Sequence, residues 1–142
     1  ETITLASLLS QYGVPHYLKC DIEGGDLSVA TQLSRESVVP TYASFEITSL
    51  AILSALWSAG YRRFQLVNQA FNHLTKPPQP AAEGIFVERH FDGHSSGLFG
   101  RELSEKRWVD VDEAAALYLD FVRLRDRYSQ LCMGWLDVHA AR

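Results

Sequence analysis

Cysteine is scarce in this chain of 142 residues: Cys20 and Cys132 stand far apart, one in an apolar strand-like run and one in a helix-like run. That excludes a disulfide framework and makes a reducing cytoplasm the expected compartment. Basic residues are few as well. Lysine and arginine number 13 against 17 aspartates and glutamates, a net charge of −4 with no basic run, which argues against nucleic acid as a partner. Long apolar runs are missing. The uncharged apolar stretch 47–61 is too short to span a bilayer and is broken by Ser, Thr and Gly, so no membrane partner is expected. No charged segment followed by an apolar one opens the chain, so no signal peptide is expected. None of the nine glycines forms a Gly-x-Gly pair, and neither a Gly-x-Ser-x-Gly elbow nor a P-loop occurs.

What is present is the material of an ordinary core. Hydrophobic residues make up 46% and aromatic residues 11%, the balance of one globular domain over 1–142. The first residue is Glu1, and 2–10 already reads as the approach to a helix, as in a piece of a longer chain.

Thr4 is placed to cap a helix over Leu5–Tyr12, with Leu5, Leu8 and Leu9 on one face and Gly13 as the stop. A short apolar run, 17–22, has the character of a strand in a parallel sheet, and Glu23-Gly24-Gly25-Asp26 breaks it. Asp26 can cap a helix over 27–33. A second run, 42–47, leads to an apolar helix over 50–59 closed by Gly60, and a third run covers 64–68. Strand, helix, strand, helix, strand with short joints predicts an open α/β sheet with right-handed crossovers. The prolines of 76–80 require a loop over about 70–83. Residues 85–91 read as a further strand, 93–100 as a glycine- and serine-rich loop, and 113–133 as the longest helix, capped by Asp110 or Asp112. The apolar set of that helix, Ala114, Leu117, Tyr118, Phe121, Leu124, Tyr128, Leu131 and Cys132, keeps the spacing of one buried face. Trp57, Tyr61, Phe64, Trp108 and Tyr118 are read as core.

In an open α/β sheet, ligands bind beyond the carboxyl ends of the strands. Asp21 and Glu23 flank the end of the first run and Glu46 nearly ends the second, while Gly24 and Gly25 let the backbone turn there. Carboxylates gathered at one crevice can take a proton, bind a hydroxyl or hold a cation. The plainer alternative is that Asp21 and Glu23 only complement the next helix dipole. His90, Asp92 and His94 fall within five residues, but a metal needs a larger fixed ligand set and none is assigned. His139 is read as packed or site-facing, oriented by Asp137 only if the tail is extended. Cys20 has nothing beside it in sequence to activate the thiol.

The run Tyr17-Leu18-Lys19-Cys20-Asp21-Ile22-Glu23-Gly24-Gly25-Asp26-Leu27 resembles the FkbM family of S-adenosylmethionine-dependent methyltransferases, whose pattern there is Leu-Lys-x-Asp-(Ile/Val)-Glu-Gly-x-(Glu/Asp). Further segments are similar: 4–9 (with Ala6 replacing the usual Asp), 42–46, 60–67, 96–103 with Trp108, and 134–140. The resemblance implies a Rossmann-like class I methyltransferase of which this chain is the C-terminal half, without the cofactor-binding half. It implies an α/β fold with helices on the sheet's faces and a long C-terminal helix. It also implies S-adenosylmethionine as cofactor, a hydroxyl on a small molecule or sugar as methyl acceptor, Asp21, Glu23 and Glu46 as catalytic residues, and Asp21 and Gly24 at the cofactor. The loop 97–100 and the tail 135–139 are substrate-side elements or packing. The competing reading is a non-catalytic relative that dimerises through an exposed edge strand at 17–22. A metal-dependent hydrolase built on His90, Asp92 and His94 ranks below both.

Overall fold

The structure is a computed structural model that describes residues 2–92, 95–129 and 134–142. Its order is α1 (Leu5–Tyr12), β1 (Tyr17–Cys20), α2 (Asp26–Leu33), β2 (Tyr42–Glu46), α3 (Leu50–Ser58), β3 (Arg63–Asn68), α4 (Val111–Arg127) and β4 (Leu136–Ala141), with three short 3₁₀ turns between β3 and α4. The local signals account for the first elements. The Thr4 hydroxyl accepts from the Ser7 N–H at 3.2 Å, and Gly13, at φ +81°, donates its N–H to the Leu9 carbonyl, so α1 starts and stops where side chain and backbone can satisfy its ends. Leu5 is buried and Leu9 packs on the core, whereas Leu8 stays exposed.

The strands form one mixed sheet in the order β1-β2-β4-β3. β1 and β2 are parallel, joined by α2, while β4 runs antiparallel between β2 and β3. The cross-sheet register sorts the side chains. Leu18, Cys20, Ala43, Phe45, Phe64, Val138 and Ala140 share one face, and they join Ala30, Leu33, Ile52, Leu53, Leu56, Ala114 and Tyr118 in a single core. Burial of these side chains is the main stabilising term. The opposite face carries Tyr17, Lys19, Ser44, Glu46, Gln65, Asp137 and His139. Residues within 69–92 and 95–107 cover it: Phe99 stacks on Tyr17 with ring centroids 4.4 Å apart, and Arg107 donates to the Leu66 carbonyl.

Several expectations change. All four helices lie along the apolar face, rather than on both faces, because only that face offers apolar area to cover. β4 forms where the sequence pattern predicts no strand, and it completes the sheet. Residues 85–91 form no strand: β3's outer edge already takes a bridge from Val109, and Ile85 and Val87 are 89% and 66% exposed. β1 stops at Cys20, because Glu23 (φ +42°) and Gly24 (φ +93°) bend the chain away. Asp26 does not cap α2; Gly25 holds that position, without a side-chain bond, and Asp26 opens the helix itself. α4 starts earlier and is shorter than expected. Ala114 and Tyr118 are buried, but Leu117, Leu124 and Tyr128 are exposed, since α4 packs chiefly on α3 and β3 at the end of the helical layer. Leu131 and Cys132 lie outside the described residues. Tyr61 and Phe64 are core as expected, whereas Trp57 is half exposed under the Arg62 guanidinium, 4.8 Å from the ring centroid. No helix among the described residues is long and apolar enough to cross a membrane.

The cap of α4 gives a simple check. Asp110 accepts from the Glu113 N–H at 2.9 Å. Asp110→Ala is expected to cost about 1 kcal/mol in urea denaturation, and an unchanged midpoint would remove the cap from the account.

Candidate functional site

All four strands bring one end to the same place. The carboxyl ends of β1, β2 and β3 and the start of antiparallel β4 surround a cleft of about 750 Å³ lined by Lys19, Asp21, Glu23, Gly24, Glu46, Thr48, Gln69, Ser95, Ser96 and Trp135. The four residues expected from sequence, Asp21, Glu23, Gly24 and Glu46, therefore meet in one cleft although they come from two separate segments.

The turn after β1 sets the cleft's acidic side. Glu23 adopts a left-handed φ, unusual for a residue with a side chain, and Gly24 follows with a larger positive φ. Gly24 has open space where a Cβ would stand, so glycine is required there by conformation rather than by crowding. Asp21 and Glu23 are exposed at the mouth, whereas Glu46 is partly buried. Burial raises the Glu46 pKa above the ordinary carboxylate range, and the negative charges of Asp26, Asp21, Asp137 and Glu23 push it in the same direction. A carboxylate perturbed this way holds a proton more readily than a solvated one and suits acid–base work.

Lys19, within the 17–27 run, is the cation of the site. Its ammonium bonds the Asp137 carboxylate and stands 3.5 Å from Asp21 Oδ2. Asp137 is buried on β4, on the same face of the sheet as Lys19, and burial raises its pKa even against the lowering effect of the Lys19 bond. Lys19 thus bridges a buried anion and an exposed one.

Behind the cleft, the sheet buries polar groups with few partners. Asp26 is buried in the first turn of α2, and neither of its carboxylate oxygens makes a hydrogen bond in ordinary geometry. The Cys20 thiol lies beside it and is pushed up to about 12, by burial first and then by the Asp26 carboxylate, so Cys20 is no nucleophile. His139 is extended in β4, as its orientation by Asp137 would require, yet Asp137 bonds Lys19 and both imidazole nitrogens remain without a partner. At 1% exposure, burial lowers the His139 pKa to about 3, with the Lys19 charge adding to the effect, and the ring is neutral. Ser44, opposite His139, bonds the Tyr17 hydroxyl at 2.6 Å.

His90 is exposed, Asp92 lies in the same segment, and His94 lies outside the described residues. Among the described residues, no group of three or more His, Cys, Asp or Glu is placed to hold a metal ion.

Sequence reasoning passed over Thr48, Gln69 and the paired role of Lys19 with Asp137. Trp135 belongs to the tail 135–139 read from sequence as substrate-side or packing, whereas Gln69 has a signal only in three dimensions: its N–H donates to the Trp135 carbonyl at 2.9 Å, which ties the end of β3 to the start of β4. No family description, no curated protein and no solved structure matches this chain.

Proposed function

We propose that this chain forms the acceptor side of an S-adenosylmethionine-dependent O-methyltransferase similar to the FkbM family. The carrying observation is the convergence of Asp21, Glu23, Gly24 and Glu46 on one cleft at the carboxyl ends of β1 and β2, where ligands of open α/β sheets bind. The resemblance of 17–27 to the family motif supports the same reading. No Gly-x-Gly turn follows any strand, so the adenosine-binding role is assigned outside these strands.

The cofactor supplies an electrophilic methyl group on a sulfonium. A cleft rimmed by three carboxylates favours that positive charge. Glu46 would take the proton of an acceptor hydroxyl seated in the cleft, leaving its oxygen free to receive the methyl group that the bound cofactor would supply, with the pair of the C–S bond leaving on sulfur. Lys19 and Asp21 hold the acceptor oxygen in line.

Because the adenosine contacts are assigned outside these strands, S-adenosylmethionine titrated into isotope-labelled protein is expected to shift the amide resonances of 21–24 and Glu46 through its sulfonium and amino-acid end while adenosine alone leaves them in place. Asp21→Ala is expected to weaken the effect by about tenfold, the loss of one charged hydrogen bond. Unmoved resonances at saturating cofactor would sink the proposal.

The second reading, self-association, rests on β1 being an edge strand that pairs only with β2 among the described residues. Light scattering that returns a clean monomer at high concentration would count against it.

A further inference from the structure

α4 carries an apolar stripe that the fold leaves uncovered. Leu117, Phe121, Leu124 and Tyr128 follow one another at spacings of four, three and four residues, the alternation that sets side chains along one seam of a helix. The core does not use this seam. It takes Ala114 and Tyr118 instead, with Val111 and Ala115 on the side toward α3, and Phe121 is only partly buried against it. Leu117, Leu124 and Tyr128 are 46%, 49% and 50% exposed. Large apolar groups in one row, on the last helix of the layer, form a surface suited to packing against another helix.

The charges beside the seam say which helix fits. Glu113, Asp120 and Arg127 are seven residues apart and form one row along its flank. Asp120 is held by Arg123 at 3.1 Å, whereas Glu113 and Arg127 form no ion pair among the described residues. The helix as a whole starts on Asp110, Asp112 and Glu113 and ends on Arg125 and Arg127. Within one chain that polarity complements the helix dipole. Between two chains it sets the orientation. A second α4 laid antiparallel brings each acidic start against the other's basic end, whereas a parallel copy would set acid beside acid. In an antiparallel pair, the flanking row of one helix also faces the same row of the other. With the twofold axis beside Phe121, Leu117 meets the copy's Leu124 and Glu113 meets the copy's Arg127, each contact occurring twice.

We propose that this chain associates as a twofold-symmetric dimer through an antiparallel pair of α4 helices, closed by Leu117–Leu124 contacts and by two Glu113–Arg127 ion pairs. About three turns of seam bury less area than an obligate dimer uses, so the dimer is weak and forms with rising concentration. Ion pairs at the rim give direction more than strength. The proposal is independent of the methyltransferase reading. It also differs from pairing through β1, because α4 packs on β3, at the opposite end of the strand order.

The experiment is sedimentation equilibrium on the intact chain from about 5 µM to about 1 mM, which brackets dissociation constants from micromolar to millimolar. The parent is expected to pass from monomer to dimer. Leu124→Lys, at an exposed position, is expected to keep the parent's circular dichroism and to weaken the dimer by about a hundredfold, since two apolar contacts are lost at once. Glu113→Arg and Arg127→Glu, each alone, are expected to weaken it by about tenfold, because each sets like charges in both ion pairs. Mixed in equal amounts, these two variants are expected to regain the parent's association, since every pair then joins opposite charges. Recovery on mixing also shows that both are folded. A parent that stays monomeric throughout overturns the proposal. A dimer that survives Leu124→Lys uses another surface, the β1 edge included, and overturns it too. A dimer that Leu124→Lys abolishes but that neither charge variant weakens overturns the antiparallel pairing.

Discussion

Lys19→Met is expected to destabilise the protein by about 3–5 kcal/mol, the cost of leaving one member of a buried ion pair without its partner. Asp137 is almost wholly buried and bonds the Lys19 ammonium, so removing that cation strands the carboxylate in the sheet. Methionine keeps most of the aliphatic stem, which separates the charge effect from lost packing. The pH dependence has a definite sign. Burial already raises the Asp137 pKa, and without Lys19 it rises further. A carboxyl whose folded pKa lies above its unfolded value supports the fold while protonated and loses that support as pH rises through the folded value. The variant should therefore lie near the parent in acid and fall away from it toward alkaline pH. Lys19→Met combined with Asp137→Leu should recover most of the loss, since an apolar pair in the same space leaves nothing unsatisfied. Urea midpoints measured across pH for both variants decide the matter: an equal deficit at every pH would mean that the pair is not the cause.

His139 carries the second large effect. Its folded pKa is lowered to about 3, whereas a free imidazole titrates near 6.5. Between those values the unfolded chain takes up a proton that the folded protein refuses. Stability contributed by neutral His139 is complete above about pH 6.5 and is lost as pH falls toward the folded value, at up to about 1.4 kcal/mol per pH unit. Glu46 and Asp137, with raised pKa values, act in the opposite sense over the carboxylate range and reduce the net slope. Comparison with His139→Leu isolates the imidazole. That variant is expected to match or exceed the parent at neutral pH, because two unpartnered nitrogens are removed, and to lose most of the acid slope. Parallel loss in both proteins would assign acid sensitivity to another group.

The elements whose signals are local were legible in the sequence. Thr4 and Gly13 bracket α1 because a cap and a positive-φ stop act within one turn. The short apolar strands β2 and β3 and the apolar helix α3 were legible for the same reason. β4 was not, although Leu136, Val138 and Ala140 alternate with Asp137 and His139. The period of two was there, but the polar members invited a chemical reading, and nothing local says that a sheet waits for them. Residues 85–91 show the converse: apolar character that finds no strand partner. Within the cleft, Asp21, Glu23, Gly24 and Glu46 followed from one rule about strand ends. The partnership of Lys19 with Asp137, and the placing of Gln69 beside Trp135, depend on which strands become neighbours, which short-range patterns do not encode.

Because β4 lies between β2 and β3, those two earlier strands do not pair with each other in the sheet. As the chain is synthesised, both emerge with facing edges open, and the gap can close only after residues 136–141 follow. Until then the nascent protein exposes two unpaired strand edges on either side of a vacancy shaped for one more strand, the form most open to capture by a chaperone or by another unfinished copy.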